Sequence, residues 1–265
     1  MRYQTACRGL VLLALTGLSL PLIAAPPTNG PVIIDQKSAL SGGISGNCDA
    51  PGFPITICAP GSYILESNLT VQANTDGIDI TVPNVTIDLN GFTVAGPVTC
   101  TGSGASLSCT GSTSGNGIAA TGSFITDNMT VRNGTVRGFA QLGVSLTGIG
   151  NIVDGINASE NIASGIFVWY GTVSNSNSTR NAAGGFVCFA GQLKHNTSLG
   201  NAGDGILLNR CSATDNATNY NGGYGLSGFH SLVSGNESDD NALGDFFNEV
   251  GLVSIVNNSC SGAGC

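Results

Sequence analysis

The chain has 265 residues, a formal net charge of −8 and only 9% charged residues, with 40 glycines. Nucleic-acid binding is excluded on these grounds, because it depends on clustered lysines and arginines that neutralise phosphates. With so few charges, the surface must rely on hydroxyl, amide and glycine groups for its hydration.

The first segment has the features of a secretory signal peptide. Arg2 and Arg8 precede an apolar stretch at residues 10–23, and this stretch is followed by the small residues Ala24 and Ala25. The order of basic start, short apolar centre and small residues is typical of a cleaved signal. We therefore predict a signal peptide over residues 1–25 and an exported chain (periplasmic, cell-surface or secreted) that does not span a membrane.

The remaining chain divides into a cap, a repeat region and a short tail. Residues 26–71 are predicted to form an N-terminal cap, because the open end of a solenoid needs a cover. Coils are predicted over residues 72–258, interrupted by a Gly/Ser/Thr-rich inserted loop at 98–115. The tail, residues 259–265, is too short to cover the last coil well, which makes this end a candidate for self-association.

The chain contains nine cysteines, of which Cys7 leaves with the signal peptide. An even number of cysteines in an exported chain is typical of disulfide bonds. Proximity in the sequence predicts the pairs Cys48–Cys58, Cys100–Cys109, Cys188–Cys211 and Cys260–Cys265. The competing interpretation, a metal site, lacks a CxxC pair and a nearby histidine, so no metal site is predicted.

Residues 151–250 repeat every 20 residues without an insertion. The recurring columns are Asn161, Asn181, Asn201, Asn221 and Asn241, and Gly165, Gly185, Gly205 and Gly225. A fixed period with short alternating runs between turn-forming residues is typical of a solenoid of brief strands. We predict an all-β fold, a right-handed parallel β-helix of about eight coils stacked about 4.8 Å apart. The asparagines are predicted to form a hydrogen-bonded ladder at a turn.

The run Asn84-Val-Thr-Ile-Asp-Leu-Asn-Gly-Phe, with Asp76-Gly-Ile-Asp-Ile before it, resembles secreted right-handed β-helix proteins of the pectin-lyase-like superfamily. The resemblance extends over residues 60–258. It implies the fold but no single activity, because that superfamily includes polysaccharide lyases, glycoside hydrolases, epimerases and adhesins. Calcium is implied as a cofactor only for a lyase. No family motif matches around Asp154, Asp204, Asp215, Asp239, Asp240 or Asp245.

The 20-residue period places His195 and Asp215 in one column on adjacent coils, with Lys194 beside the histidine. A carboxylate that holds an imidazole in one tautomer can support proton transfer. His195 and Asp215 are therefore the candidate catalytic residues, although no serine or cysteine nucleophile accompanies them in the sequence pattern.

A run of apolar and aromatic side chains is predicted on the outer surface. If Ile166 and Val168 face the core, strand alternation turns their neighbours outward. The run comprises Phe167, Trp169, Tyr170, Val187, Phe189, Leu207 and Phe229. The alternative is that a turn rotates some of these residues back into the core. The candidate ligand-binding residues are Trp169, Tyr170 and Phe189, with Arg210 and His230 on the rim.

Three functions are compatible with this pattern. The first is an exported β-helix that binds carbohydrate, such as a polysaccharide or cell-surface glycan, or another surface partner through the aromatic run. The second is a polysaccharide lyase or glycoside hydrolase that uses His195 and Asp215. The third is a structural module of a cell-surface assembly that self-associates through its C-terminal end or its apolar surface.

Overall fold

The computed structural model describes residues 30–120, 126–250 and 254–260 of the chain. The predicted signal peptide and Cys265 lie outside these residues. One α-helix, α1, spans Gln36–Ser41, and a short 3₁₀ turn spans Gly104–Ser106. No helix in the described ranges is long and apolar enough to cross a membrane.

The rest of the regular structure consists of short strands. In chain order they are β1 Val32–Ile34, β2 Ile55–Ile57, β3 Gly61–Leu65, β4 Leu69–Thr70, β5 Ile78–Ile80, β6 Val85–Asp88, β7 Thr93–Ala95, β8 Thr99–Thr101, β9 Ser108–Thr110, β10 Ile118–Ala120, β11 Thr130–Arg137, β12 Val144–Leu146, β13 Asn151–Ser159, β14 Ile166–Trp169, β15 Gly171–Ser174, β16 Asn177–Thr179, β17 Phe186–Phe189, β18 Gln192–Lys194, β19 Thr197–Leu199, β20 Ile206–Asn209, β21 Ser212–Thr214, β22 Ala217–Asn219, β23 Tyr224–Phe229, β24 Leu232–Ser234, β25 Glu237–Asp239, β26 Gly244–Val250, β27 Ser254–Val256 and β28 Ser259–Cys260.

Parallel pairing between successive repeats builds the coils. One sheet has nine strands, all parallel, and each of its strands belongs to a different coil. We number the coils 1–9 by these strands, in the order β2, β5, β10, β12, β14, β17, β20, β23 and β26. The second sheet has seventeen strands and forms the other two sides of the coils. This arrangement confirms the predicted right-handed parallel β-helix.

The coil count is higher than predicted. The nine coils together with β1 make about ten turns, against about eight expected from the repeat. The difference lies at the N-terminal end, where Ile55 pairs with Ile78 and Gly61 pairs with Val85. Coil stacking therefore begins with β1, where Val32 pairs with Tyr63, and continues through residues 55–70, which lack the Asn-Gly repeat that marks the later coils.

From coil 3 to coil 8, three corners of each coil are turned by residues with left-handed backbone, and in coil 2 the first two corners are turned in the same way. The first-corner column is Asn84, Asn128, Gly150, Tyr170, Ala190, Arg210 and His230. The second-corner column is Asn90, Asn133, Gly155, Asn175, His195, Asp215, Gly235 and Asn257. The third-corner column is Gly138, Glu160, Arg180, Gly200, Tyr220 and Asp240. Because the corners share this conformation, a positive φ angle here reflects the architecture and does not by itself mark a functional residue.

The core is formed by side chains that stack from coil to coil. Ile166, Phe186, Ile206 and Leu226 occupy equivalent positions and are fully buried. The predicted asparagine ladder is confirmed, with Asn161 through Asn241 buried and hydrogen-bonded along the column. A second ladder, through Asn196, Asn216, Asn236 and Asn258, was not predicted.

Helix α1 packs on the N-terminal part of the coils. Asp35 caps the helix by accepting a hydrogen bond from the backbone N–H of Ser38 at 2.6 Å, and Ala39 is fully buried against the first coils. Three of the predicted disulfides are confirmed, Cys48–Cys58, Cys100–Cys109 and Cys188–Cys211. The fourth includes Cys265, which lies outside the described residues.

Candidate functional site

The outer surface of the nine-stranded sheet carries the predicted apolar and aromatic run. Ile166 and Val168 are fully buried, so strand alternation turns Phe167 and Trp169 outward. Trp169 is 44% exposed, the adjacent Tyr170 is 43% exposed, and Leu207 two coils further on is 40% exposed. The other members of the run, Phe167, Val187, Phe189 and Phe229, are half-buried, and none of the seven belongs to the buried core. The alternative in which a turn returns some of these side chains to the core is therefore wrong.

We call this surface the aromatic strip, formed by Phe167, Trp169, Tyr170, Val187, Phe189, Leu207 and Phe229. The Trp169 and Tyr170 rings lie 6.0 Å apart between centroids and are stacked, with 17° between their planes. Phe189 on the next coil lies 6.0 Å from the Trp169 ring and 5.7 Å from Phe167. At the far end, His230 meets the Phe229 ring edge-on at 4.1 Å. The strip is therefore one set of ring contacts on coils 5 and 6 and a separate pair on coil 8.

An open groove runs beside the strip, along the first corner of coils 4–7. It has a volume of about 520 Å³ and is lined by Gly150, Asn151, Ile152, Tyr170, Gly171, Thr172, Ala190, Gly191, Gln192 and Arg210. Tyr170 and Arg210 stand two coils apart in the corner column, with the small side chain of Ala190 between them. A Cβ at Gly191 would collide with the carbonyl of Gly171, so the groove floor is backbone.

Arg210 provides a free positive charge at this groove. The ion pairs formed by arginines in the described ranges involve Arg132, Arg137 and Arg180, and none involves Arg210. The Arg210 side chain is exposed, and its backbone N–H is held by the carbonyl of Phe229 at 2.9 Å. A guanidinium with no carboxylate partner can offer its donors to a ligand in the groove.

Sequence reasoning missed the polar residues that line the groove. Thr172 and Gln192 lie in register on β15 and β18, one coil apart and two residues after the first corner. Gln192 is exposed and Thr172 is half-buried. The same 20-residue period, counted from the corner residues and not from the aromatic run, could have predicted these two positions.

His195 and Asp215 contact one another, but at a different place. Their Nε2 and Oδ2 atoms lie 3.5 Å apart, and their side chains are 60% and 53% exposed. The pair lines a shallow depression of about 330 Å³ with Asn196, Thr197, Asn216, Ala217, Gly235 and Glu237. None of these lining residues is a serine or a cysteine.

The structure does not bring the His195 and Asp215 pair together with the aromatic strip. His195 turns the second corner of coil 6, and Ala190 turns the first corner of the same coil. Five residues of extended chain separate two corners by about 16 Å. Lys194 is exposed on β18, next to His195 in the chain and on the side of the coil between these corners. In the described ranges, no three His, Cys, Asp or Glu side chains are placed to hold a metal ion.

Asp79 is a further unusual group that sequence reasoning missed. It lies between Ile78 and Ile80, which are buried, and its own side chain faces outward. Its Oδ1 atom is buried and has no hydrogen-bond partner. Burial, followed by the nearby charge of Asp76, raises the pKa of Asp79 above its ordinary value.

Comparison with known proteins gives structural matches only. No protein-family model matches the chain, and no curated protein matches it. The chain is similar to the periplasmic alginate epimerase AlgG, with 13% identity over 78% of this chain and 70% of that chain and a TM-score of 0.49. It is similar to the enzymatically active domain of bacteriophage CBA120 tailspike protein 2, with 14% identity, 77% and 37% coverage and a TM-score of 0.47.

A third similar structure is the A-module of the Azotobacter vinelandii mannuronan C-5 epimerase AlgE4, with 12% identity, 80% and 76% coverage and a TM-score of 0.45. Identities and TM-scores this low assign no activity to this chain. The fold is established by the strand pairing of the chain itself, and the function must be argued from its own side chains.

Proposed function

We propose that this chain is an exported carbohydrate-binding β-helix whose ligand lies on the aromatic strip and in the adjoining groove. The observation that carries the proposal is the stacked pair of Trp169 and Tyr170, both more than 40% exposed beside an open groove. Contiguous exposed apolar surface on a soluble domain generally marks an interaction site. The three disulfides fit an oxidising compartment outside the cytoplasm.

The chemistry around this pair suits a sugar ring. A pyranose has an apolar C–H face that packs on an aromatic ring, and hydroxyls at its edge that need hydrogen-bond partners. Trp169, Tyr170 and Phe189 offer the ring faces. Gln192 and Arg210 offer donors from the groove, and the backbone floor lets a ring approach closely.

The direction of the groove suits an extended ligand. Tyr170, Ala190 and Arg210 follow one another along the helix axis, one per coil. With coils about 4.8 Å apart, the notch between Tyr170 and Arg210 is about 10 Å long. His230 stands one coil beyond Arg210 and extends the same line. A linear polysaccharide segment lying along the axis would contact each of these residues.

The test is a glycan array with the mature protein, followed by titration of each positive glycan. Trp169→Ala should weaken binding roughly tenfold or more, as expected for an aromatic anchor. Tyr220→Ala is the matched control, because Tyr220 is 59% exposed but lies on the third corner, away from the strip. Equal affinities for wild type and Trp169→Ala across the positive glycans would contradict the proposal.

A second candidate function is catalysis on polysaccharide by His195 and Asp215. The observation that favours it is their 3.5 Å contact across adjacent coils. Polysaccharides would be incubated with the protein, with and without calcium, and assayed for unsaturated products and new reducing ends. Turnover that is lost in His195→Ala, while glycan binding persists, would support this function. Absence of product at every pH and calcium concentration would exclude it.

A further inference from the structure

The predicted inserted loop forms a hairpin that lies across the outside of the coils. Strands β8 and β9 pair antiparallel, with Cys100 opposite Cys109 and a disulfide between them. We call residues 98–111 the strap. The strap follows β7 of coil 2 in the chain. Its contacts lie along the third corner, mostly on coils that come much later in the sequence.

The backbone N–H of Val98 donates to the carbonyl of Gly138 on the neighbouring coil 3 at 2.9 Å, and further hydrogen bonds attach the strap to coils 5 and 6. Arg180 of coil 5 donates from Nη2 to the carbonyl of Cys100 at 2.7 Å. The backbone N–H of Gly104 donates to the carbonyl of Gly200, on coil 6, at 2.8 Å. Arg180 Nη1 also lies 3.5 Å from Oε1 of Glu160 on coil 4. The strap therefore bonds to chain that is 80 or more residues away.

Apolar contacts fill the space beneath the strap. Val98 and Cys100 are buried there against Ala140, and this small cluster is separate from the main core. Leu107, Cys109 and Ile162 pack around it. The strap is thus seated on the coils by buried apolar contacts as well as by hydrogen bonds.

The residues of the repeat change where the strap packs against the coils. From coil 4 to coil 8 the third corner carries large or charged side chains except at Gly200, where a Cβ would collide with Ser103 Oγ. Gly222 takes the place that Ala202 holds one repeat earlier. A Cβ on Gly222 would collide with the carbonyl of Ala202 on the preceding coil and would also lie 2.6 Å from the backbone nitrogen of Ala105 in the strap. Gly200 therefore leaves room for the strap alone, whereas at Gly222 both the preceding coil and the strap exclude a side chain.

We infer that the strap is a clasp that joins coil 2 to coils 4–7, so that these coils open as one cooperative unit. In a solenoid each coil otherwise contacts only its neighbours, and local opening can begin anywhere along the stack. A contact that bypasses intermediate coils prevents them from opening independently. The Cys100–Cys109 disulfide keeps the hairpin in the shape that fits its seat.

The first test compares two glycine variants by hydrogen exchange and chemical denaturation. Gly200→Ala places a methyl group against the strap, whereas Gly155→Ala has nothing closer than 3.8 Å. The two glycines have matching backbone, with φ of 65° and 62°, so backbone strain is the same in both variants. Gly200→Ala should raise exchange of the Gly104 amide roughly tenfold or more and separate the unfolding of coils 4–7 from that of the other coils.

A rescue variant distinguishes loss of the strap contact from general misfolding. In Gly200→Ala/Ser103→Ala the colliding hydroxyl is removed, and slow exchange at Gly104 with a single unfolding transition should return. The disulfide variant Cys100→Ser/Cys109→Ser should behave like Gly200→Ala, and Cys48→Ser/Cys58→Ser is its control. The inference is overturned if Gly200→Ala and Gly155→Ala show the same Gly104 exchange and the same single transition, or if the rescue variant restores neither.

Discussion

The side-chain amide of Asn201 donates a hydrogen bond to Oδ1 of Asn221 on the next coil, 3.0 Å away, and both residues are buried. The backbone N–H of Asn201 donates to the same oxygen at 3.1 Å. This pair of bonds recurs along the column to Asn241, whose amide donates to Oδ1 of Asp245 at 3.0 Å. The amide dipoles all point one way, so a carboxylate meets the positive end of the ladder.

Removing one rung of this ladder should be costly. In Asn201→Ala, the side-chain and backbone N–H groups of Asn181 lose their shared acceptor. Each buried group left without a partner costs about 1–3 kcal/mol, so the free energy of unfolding should fall by at least about 2 kcal/mol. Urea denaturation measures the change. Asn177→Ala is the control, because Asn177 is exposed and its side-chain amide donates to Oδ1 of Asn157 at 2.8 Å. Equal losses in both variants would contradict the prediction.

The Cys188–Cys211 disulfide should stabilise the coils that carry the proposed binding surface. It joins β17, which carries Phe189, to the residue that follows Arg210, and both sulfurs belong to buried residues. Closing a loop of this length stabilises a fold by about 2–4 kcal/mol. The variant Cys188→Ala/Cys211→Ala should lose about that much in denaturation experiments. A variant as stable as the wild type would show that the bond makes no net contribution.

Asp79 should make stability depend on pH. Its pKa is raised in the folded state by burial and then by Asp76, so the folded chain holds this proton more tightly than the unfolded chain. The resulting stabilisation is complete below about pH 4, the ordinary pKa of an aspartate, and is lost as pH rises through the raised pKa.

Asp79→Asn removes the buried charge. The substitution should therefore raise the free energy of unfolding more at pH 7 than at pH 3. Denaturation of both proteins across this range measures the difference. Asp127→Asn serves as a comparison, because Asp127 accepts a hydrogen bond from the backbone N–H of Ile149 at 2.8 Å. An Asp79→Asn effect that is the same at pH 3 and pH 7 would contradict the assignment.

Tyr220 should titrate above its usual range. Asp240 on the next coil raises the pKa of the Tyr220 phenol, first through hydrogen bonding and then through its negative charge. The contribution to stability is present below pH 10, the ordinary pKa, and is lost as pH rises through the raised value. Asp240→Asn should lower the midpoint of the Tyr220 titration, followed by ultraviolet difference absorption with Tyr220→Phe as the blank. No movement of that midpoint would contradict the stated cause.

The sequence by itself determined the features that repeat. The 20-residue period fixed the parallel β-helix, the Asn161 to Asn241 ladder and the outward direction of Trp169, because stacking brings equivalent residues of adjacent coils together. Cysteine spacing also predicted the three disulfides that the structure describes. The contact between His195 and Asp215 followed from the same period.

Only the tertiary structure decided what the period does not encode. Coil 1 lacks the repeat and is defined by pairing alone, as in Ile55 with Ile78. The groove beside Tyr170 depends on which side chains are absent between two corners, and its separation from His195 depends on where each corner turns. The seat of the strap at Gly200 joins segments about a hundred residues apart, and no local pattern specifies such a contact because it forms only once the coils are stacked.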